Sequence, residues 1–215
     1  LLLERGADAN MPAIGDLSLK RGLAAGETFR PNPPLVHAAK ILSKDSSVQI
    51  EIMTLLIKCG ASIAGDSIAI PLQSAAWSGN LPAVQFLLKS GANVNAFEKP
   101  ELRTALYSAC YQGHSETVGL LLQSGADVNA TTVLRGTPLH VAVQQGNIHI
   151  ARLLLGRPDI CLDATDLFNQ TAAHLACRAN HAACLALLLE RGADLSITLK
   201  GDSYLHMAAR GYDRT

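Results

Sequence analysis

Gly136-Thr137-Pro138-Leu139-His140-Val141-Ala142 packs a helix start and an apolar helical face into seven residues, and it does not stand alone. Weaker copies run Ile70-Pro71-Leu72-Gln73-Ser74-Ala75, Thr104-Ala105-Leu106-Tyr107-Ser108-Ala109, Thr171-Ala172-Ala173-His174-Leu175-Ala176 and Ser203-Tyr204-Leu205-His206-Met207-Ala208. Measured at the place His140 holds, the copies fall at 73, 107, 140, 174 and 206, in steps of 34, 33, 34 and 32. A period near 33 marks an array of small supersecondary units, none of which can bury its apolar face alone.

Within 136–162 the local chemistry names the elements. The Thr137 hydroxyl can cover free amides at a helix start, and Pro138 suits the first turn, where its missing N–H is not needed. Leu139, Ala142 and Val143 fall on one helical face, and Gly146 can end the helix in a left-handed turn. A second amphipathic helix follows, with Ile148, Ile150, Ala151, Leu153, Leu154 and Leu155 as its stripe and Pro158 as its stop. Other units close the second helix with Leu-Leu-x-x-Gly-Ala, so that Gly91, Gly125 and Gly192 take positive φ. The links Val94 to Arg103 and Val128 to Gly136 are expected to form projecting hairpin fingers.

These phrases resemble the ankyrin repeat family, whose pattern is Thr-Pro-Leu-His-x-Ala-Ala, then Gly-His, then Leu-Leu-x-x-Gly-Ala. The resemblance implies an all-α fold, an α-solenoid of stacked ankyrin repeats, each a helix-turn-helix plus a β-hairpin finger. It also implies protein–protein recognition on a concave face of fingers and first helices. The repeats read as 33–64, 70–102, 103–135, 136–169 and 170–201 in one continuous array. Residues 1–10 read as the end of a truncated repeat and 202–215 as the start of another, so the chain reads as a piece of a longer protein. Residues 11–32 form an insertion with a short helix over Asp16–Glu27, and about six extra residues around Ser43–Val48 separate the helices of the first full repeat.

Bulk composition narrows the partner. Lysine plus arginine equal aspartate plus glutamate at 18 each, which gives no attraction for nucleic acid or an anionic membrane face. Aromatics are only 4%, as suits close-packed helices with small contact residues and not a β-sandwich. Five cysteines without a CxxC pair suit a reducing compartment, cytosol or nucleus. No apolar run approaches the roughly 18–20 residues that cross a bilayer. A monomer with no cofactor is expected.

His174, Cys177, His181 and Cys184 spell HxxCxxxHxxC, a superficial metal-ligand spacing. Structural zinc needs four convergent ligands at about 2.0–2.3 Å. The repeat register puts the first two on one helix and the others at or on the next, so no metal is expected. The resemblance gives His140, His174 and His206 the family's phrase histidine, which braces neighbouring loops. No phosphate loop, HExxH or GxSxG appears, and nothing brings a nucleophile to a base, so the chain is read as non-enzymatic.

The residue after the two alanine positions of each phrase is expected to face the groove: Lys40, Trp77, Tyr111, Gln144 and Arg178. With units about 10 Å apart they would form a ladder. Tryptophan, tyrosine and arginine are enriched where truncation costs about 2 kcal/mol or more. A partner protein or peptide is therefore expected across Trp77 and Tyr111, with finger residues Phe97, Glu98, Arg103, Leu134 and Arg135 completing the contact. The competing reading of Trp77 is sideways packing on its own unit. Asn95 and Asn129 occupy the family's hairpin asparagine, as does Asn10. Such asparagines are hydroxylated in animal ankyrin proteins, which the resemblance allows at Asn95 and Asn129; the plainer role is closing the turn with the side chain. The alternative to a free-standing scaffold is a regulatory or spacer array within a larger enzyme, channel or ubiquitin-ligase component.

Overall fold

Thr137 opens its helix as its hydroxyl suggests. In the structure, a computed structural model that describes residues 33–42, 45–64, 70–194 and 196–197, its Oγ1 accepts from the His140 amide and the His140 ring returns a bond to the Thr137 amide. The reads of 1–10, 11–32 and 202–215, and the phrase copy at Ser203–Ala208, lie outside the described residues.

The chain divides into two compact units, Leu1–Asn93 and Val94–Thr215. The first holds α1 (Pro34–Lys40), α2 (Ser46–Lys58), α3 (Pro71–Ser78) and α4 (Leu81–Lys89). Helix α1 packs on α2 and α3, and α4 packs on α2 and α3, which is a pair of stacked helical hairpins. Between α1 and α2 the extra residues are not all loop: Asp45 caps α2 by accepting from Ser47 and Val48, so Ser46–Val48 are wound into the helix. Helix α2 is consequently 13 residues long where α4 has 9.

The second unit holds β1 (Phe97–Glu98), β2 (Arg103–Thr104), α5 (Ala105–Gln112), α6 (Ser115–Gln123), α7 (Pro138–Gln144), α8 (Ile148–Leu155), α9 (Ala172–Arg178) and α10 (Ala182–Glu190). First helices stack in the order α5, α7, α9, and second helices in the order α6, α8, α10. Small residues make this approach possible: Ala109, Ala142 and Ala176 are essentially inaccessible, flanked by buried Leu106, Leu139 and Leu175. Burial along α8 follows Ile150, Ala151, Leu154 and Leu155. Leu153, expected in that stripe, is instead 40% exposed. At 100° per residue it points well over a right angle away from the centre of the buried four, so hydrophobicity alone misassigned it.

The two expected fingers differ. Phe97 pairs with Thr104 and Glu98 with Arg103 in a two-stranded antiparallel hairpin. The link from Val128 to Gly136 forms a tight turn with no strand pair: Arg135 donates to the Thr132 carbonyl (2.8 Å) and Thr132 to that of Gly136 (3.1 Å).

Candidate interaction surface

In the second unit, three first helices place an exposed side chain directly after two buried ones. Ala109-Cys110, Ala142-Val143 and Ala176-Cys177 are buried, while Tyr111, Gln144 and Arg178 face solvent. The helix dictates this contrast, because one step of 100° carries the chain off the packed face. The Arg178 guanidinium donates to Gln170 Oε1 at 2.9 Å, which fixes its direction. In the first unit, Lys40 is exposed after buried Ala38-Ala39, and Trp77 is half-buried after Ala75-Ala76. A pocket of about 560 Å³ also opens there between α1 and α2, lined by Pro34, Ile41, Val48, Ile52 and Leu56 among others.

Of the expected finger residues, Phe97, Leu134 and Arg135 are exposed and Glu98 and Arg103 half-buried. Burial raises the Glu98 carboxyl above its ordinary value, nearby Glu101 adds to this, and Arg103 opposes it. Three apolar residues that sequence reasoning did not single out join this surface: Val133, Leu167 and Phe168. Leu102, Arg135 and Asn169 share a left-handed φ of 58, 56 and 58°, so they mark equivalent places on three successive tips. Backbone bonds join the tips in one pattern, Val133 N–H to the Glu101 carbonyl (3.1 Å) and Leu167 N–H to that of Leu134 (2.9 Å). A signal was present in the sequence: Val133-Leu134 and Leu167-Phe168 are apolar doublets one period, 34 residues, apart.

The side chains of Asn95 and Asn129 reach into the next repeat. Asn95 Oδ1 accepts from the Asp127 amide at 2.8 Å and its Nδ2 donates to the Gly125 carbonyl at 3.3 Å. Asn129 does the same one repeat later, accepting from Cys161 (2.8 Å) and donating to Asp159 (2.7 Å). Asp163 continues the series by accepting from the Asp194 amide at 3.1 Å. These side chains clamp each repeat to the next.

The histidines are braces too. Because the Thr137 amide donates to His140 Nδ1 (3.3 Å), that nitrogen is unprotonated and Nε2–H donates to the Gln170 carbonyl (3.0 Å). Thr171 and His174 repeat the capping pair, with the Thr171 amide 3.1 Å from Nδ1. Burial holds both imidazoles below the ordinary histidine value, against the pull of Asp166 and of backbone carbonyls. His181 Nε2–H donates to the Gln144 carbonyl at 3.2 Å, and Cys177 and Cys184 are buried thiols that burial pushes up. Each member of HxxCxxxHxxC therefore serves packing or bracing, and among the described residues no three His, Cys, Asp or Glu side chains group to hold a metal ion. No helix there is long and apolar enough to cross a membrane.

The family model of ankyrin repeats matches this chain three times, over residues 35–132, 97–166 and 139–214. Those matches run from α1 past α10, and they coincide with helical hairpins whose caps, glycine turns and inter-repeat braces recur with the same period. The chain belongs to the ankyrin repeat family, with the helix-turn-helix solenoid that such repeats build.

Proposed function

We propose that this chain is a non-catalytic recognition module that binds a partner protein or peptide through the exposed ends of its first helices and through its fingers. Ankyrin repeats are in general protein–protein interaction modules, which supports the class of activity. The observation that carries the reading is the contrast at one register position. Tyr111, Gln144 and Arg178 are exposed beside residues that packing holds buried, so their identities answer to something other than the core. Phe97, Glu98, Arg103, Leu134 and Arg135 extend the contact on the second unit. Lys40 and Trp77 hold the corresponding helix positions on the first.

The test is affinity capture from native extract with the whole chain against its Tyr111→Ala, Arg178→Ala variant. A partner retained by wild type and reduced at least about tenfold with the variant supports the reading. Equal recovery on both would refute it for the helix ends.

A further inference from the structure

Three register positions set the first repeat apart from the later ones. Val141 and Leu175 are buried on α7 and α9, Ile150 and Leu154 on α8, and Cys184 and Leu188 on α10. Each of these helices has the helix of the same kind from the preceding repeat packed on it: α5 on α7, α7 on α9, α6 on α8 and α8 on α10. In the first repeat the same places belong to His37, Ile52 and Leu56. There His37 is exposed, Ile52 is 47% exposed and Leu56 is half-buried. All three line the apolar pocket of about 560 Å³ between α1 and α2. The pocket is therefore the face that a preceding repeat covers in later units, and leaving it in water is unfavourable.

The chain itself carries an occupant. Residues 1–8, outside the described residues, read Leu1-Leu2-Leu3-Glu4-Arg5-Gly6-Ala7-Asp8, and the same eight residues recur from Leu187 to Asp194. The second copy finishes α10 and turns at Gly192, with φ 85°. In that alignment Leu3 takes the place of Leu122 and Leu155, which are 6 and 3% exposed on α6 and α8, where a second helix follows. Leu189, at the same place with no second helix after it among the described residues, is 41% exposed. This is the side chain that a repeat turns toward its successor. Asn10 lies four residues past Gly6, as Asn95 lies four past Gly91, and Asn95 bonds the Asp127 amide and the Gly125 carbonyl of the next repeat. Counted from the glycine turn, those two places belong to Ser62 and Gly60 in the first repeat.

We infer that residues 1–10 dock on the α1–α2 face as the end of a preceding second helix. Leu3 packs at the Leu56 end of the pocket, while Asn10 accepts from the Ser62 amide and donates to the Gly60 carbonyl. The four residues up to Glu4 give about 6 Å of helix, which meets Leu56 and stops short of Ile52, one turn earlier. At about 3.3 Å per residue the link 11–32 is long enough for their return, and the tether keeps their local concentration high. A second copy of the chain offers the identical eight residues from α10. Its clamp place, however, is Ser196, which lacks the paired acceptor and donor of an amide side chain.

Amide hydrogen exchange on the whole chain tests this, with the Cys161 amide, held by Asn129, as internal control. Asn10→Ala should speed exchange at Ser62 about fivefold, the factor one such bond carries, and leave Cys161 unchanged. Asn10→Asp should restore most of the protection, because Asp163 holds the Asp194 amide with a carboxylate at the equivalent place. Leu3→Asp should act like Asn10→Ala. A Ser62 amide that exchanges as fast in wild type as in both variants overturns the inference. Protection that falls on dilution also overturns it, assigning the face to a second copy, and protection that needs added native extract assigns it to another protein. Should Leu3→Asp disturb Cys161 as well, Leu3→Ala replaces it, and the contrast between Asn10→Ala and Asn10→Asp decides.

Discussion

Replacing His140 by leucine keeps much of the side-chain bulk and deletes both ring nitrogens. It strands the Thr137 amide, whose residue is 2% exposed, and leaves the Gln170 carbonyl with the Asp166 amide as its donor. A buried group left without its partner costs about 1–3 kcal/mol, so the variant should lose about that much at neutral pH. Acid gives an independent measure. The unfolded chain titrates its histidine near 6.5, while burial holds folded His140 lower, so the folded state refuses a proton that the unfolded state accepts. The stabilisation is complete above pH 6.5 and is lost as pH falls through the folded value, by at most about 1.4 kcal/mol per pH unit for each such histidine. His174 is displaced in the same direction and adds to the effect. Urea midpoints followed by circular dichroism between pH 7.5 and 5 read both quantities, midpoints being preferable because repeat arrays need not unfold in one step. Wild type should weaken steeply below pH 6.5, His140→Leu should start lower and fall less steeply, and the double variant with His174→Leu should be flattest. Parallel losses in wild type and His140→Leu across that window would refute a neutral, doubly bonded imidazole.

Two further substitutions probe the contacts between repeats. Gly146 has φ 70°, and a Cβ there would lie 2.8 Å from His181 Cε1, so Gly146→Ala should lose about 1–3 kcal/mol of stability. Adding His181→Ala should return the part owed to the clash and leave the backbone strain; complete recovery in urea unfolding would disprove the strain. Asn129→Ala removes two bonds to the next repeat and should cost about 1 kcal/mol, with faster hydrogen exchange at the Cys161 amide, which donates to Asn129. Unchanged exchange there would deny the clamp.

What could be read from the chain was whatever its nearest neighbours decide. Thr137-Pro138 starts a helix and Gly91, Gly125 and Gly192 turn out of one, with φ of 91, 84 and 85°, because capping and left-handed turns are contests within about one helical turn. The exposed place of Tyr111, Gln144 and Arg178 followed from the same local period. The roles of Asn95 and Asn129 did not, because their partners lie 30 and 32 residues further on and become adjacent only when one repeat stacks on the next. Leu153 was misplaced because composition favours burial while helical phase forbids it. The extra residues around Ser43–Val48 were expected to separate the helices, whereas the Asp45 cap winds Ser46–Val48 into α2.

The brace between repeats shows why such a family preserves architecture and leaves binding open. At the place His140 holds, the preceding repeat has Tyr107, whose amide donates to the Thr104 hydroxyl. Its ring edge lies 4.0 Å from where a Cβ on Gly136 would sit, and burial raises its phenol above the ordinary value. Histidine reaches the next repeat with a ring nitrogen, and tyrosine reaches it with a phenol edge. The requirement at that position is a side chain that is long, planar and tolerant of burial, so the stack survives a change of residue type. The tips carry no such requirement. Pro100-Glu101 stands on one, Val133-Leu134 on the next and Leu167-Phe168 on the third, all beside the same left-handed turn and, for the latter two, the same backbone bond. A backbone scaffold that accepts proline, glutamate, valine and phenylalanine alike does not choose among them. On the proposed function, the step from polar to apolar between the first tip and the next two reflects what the tips meet.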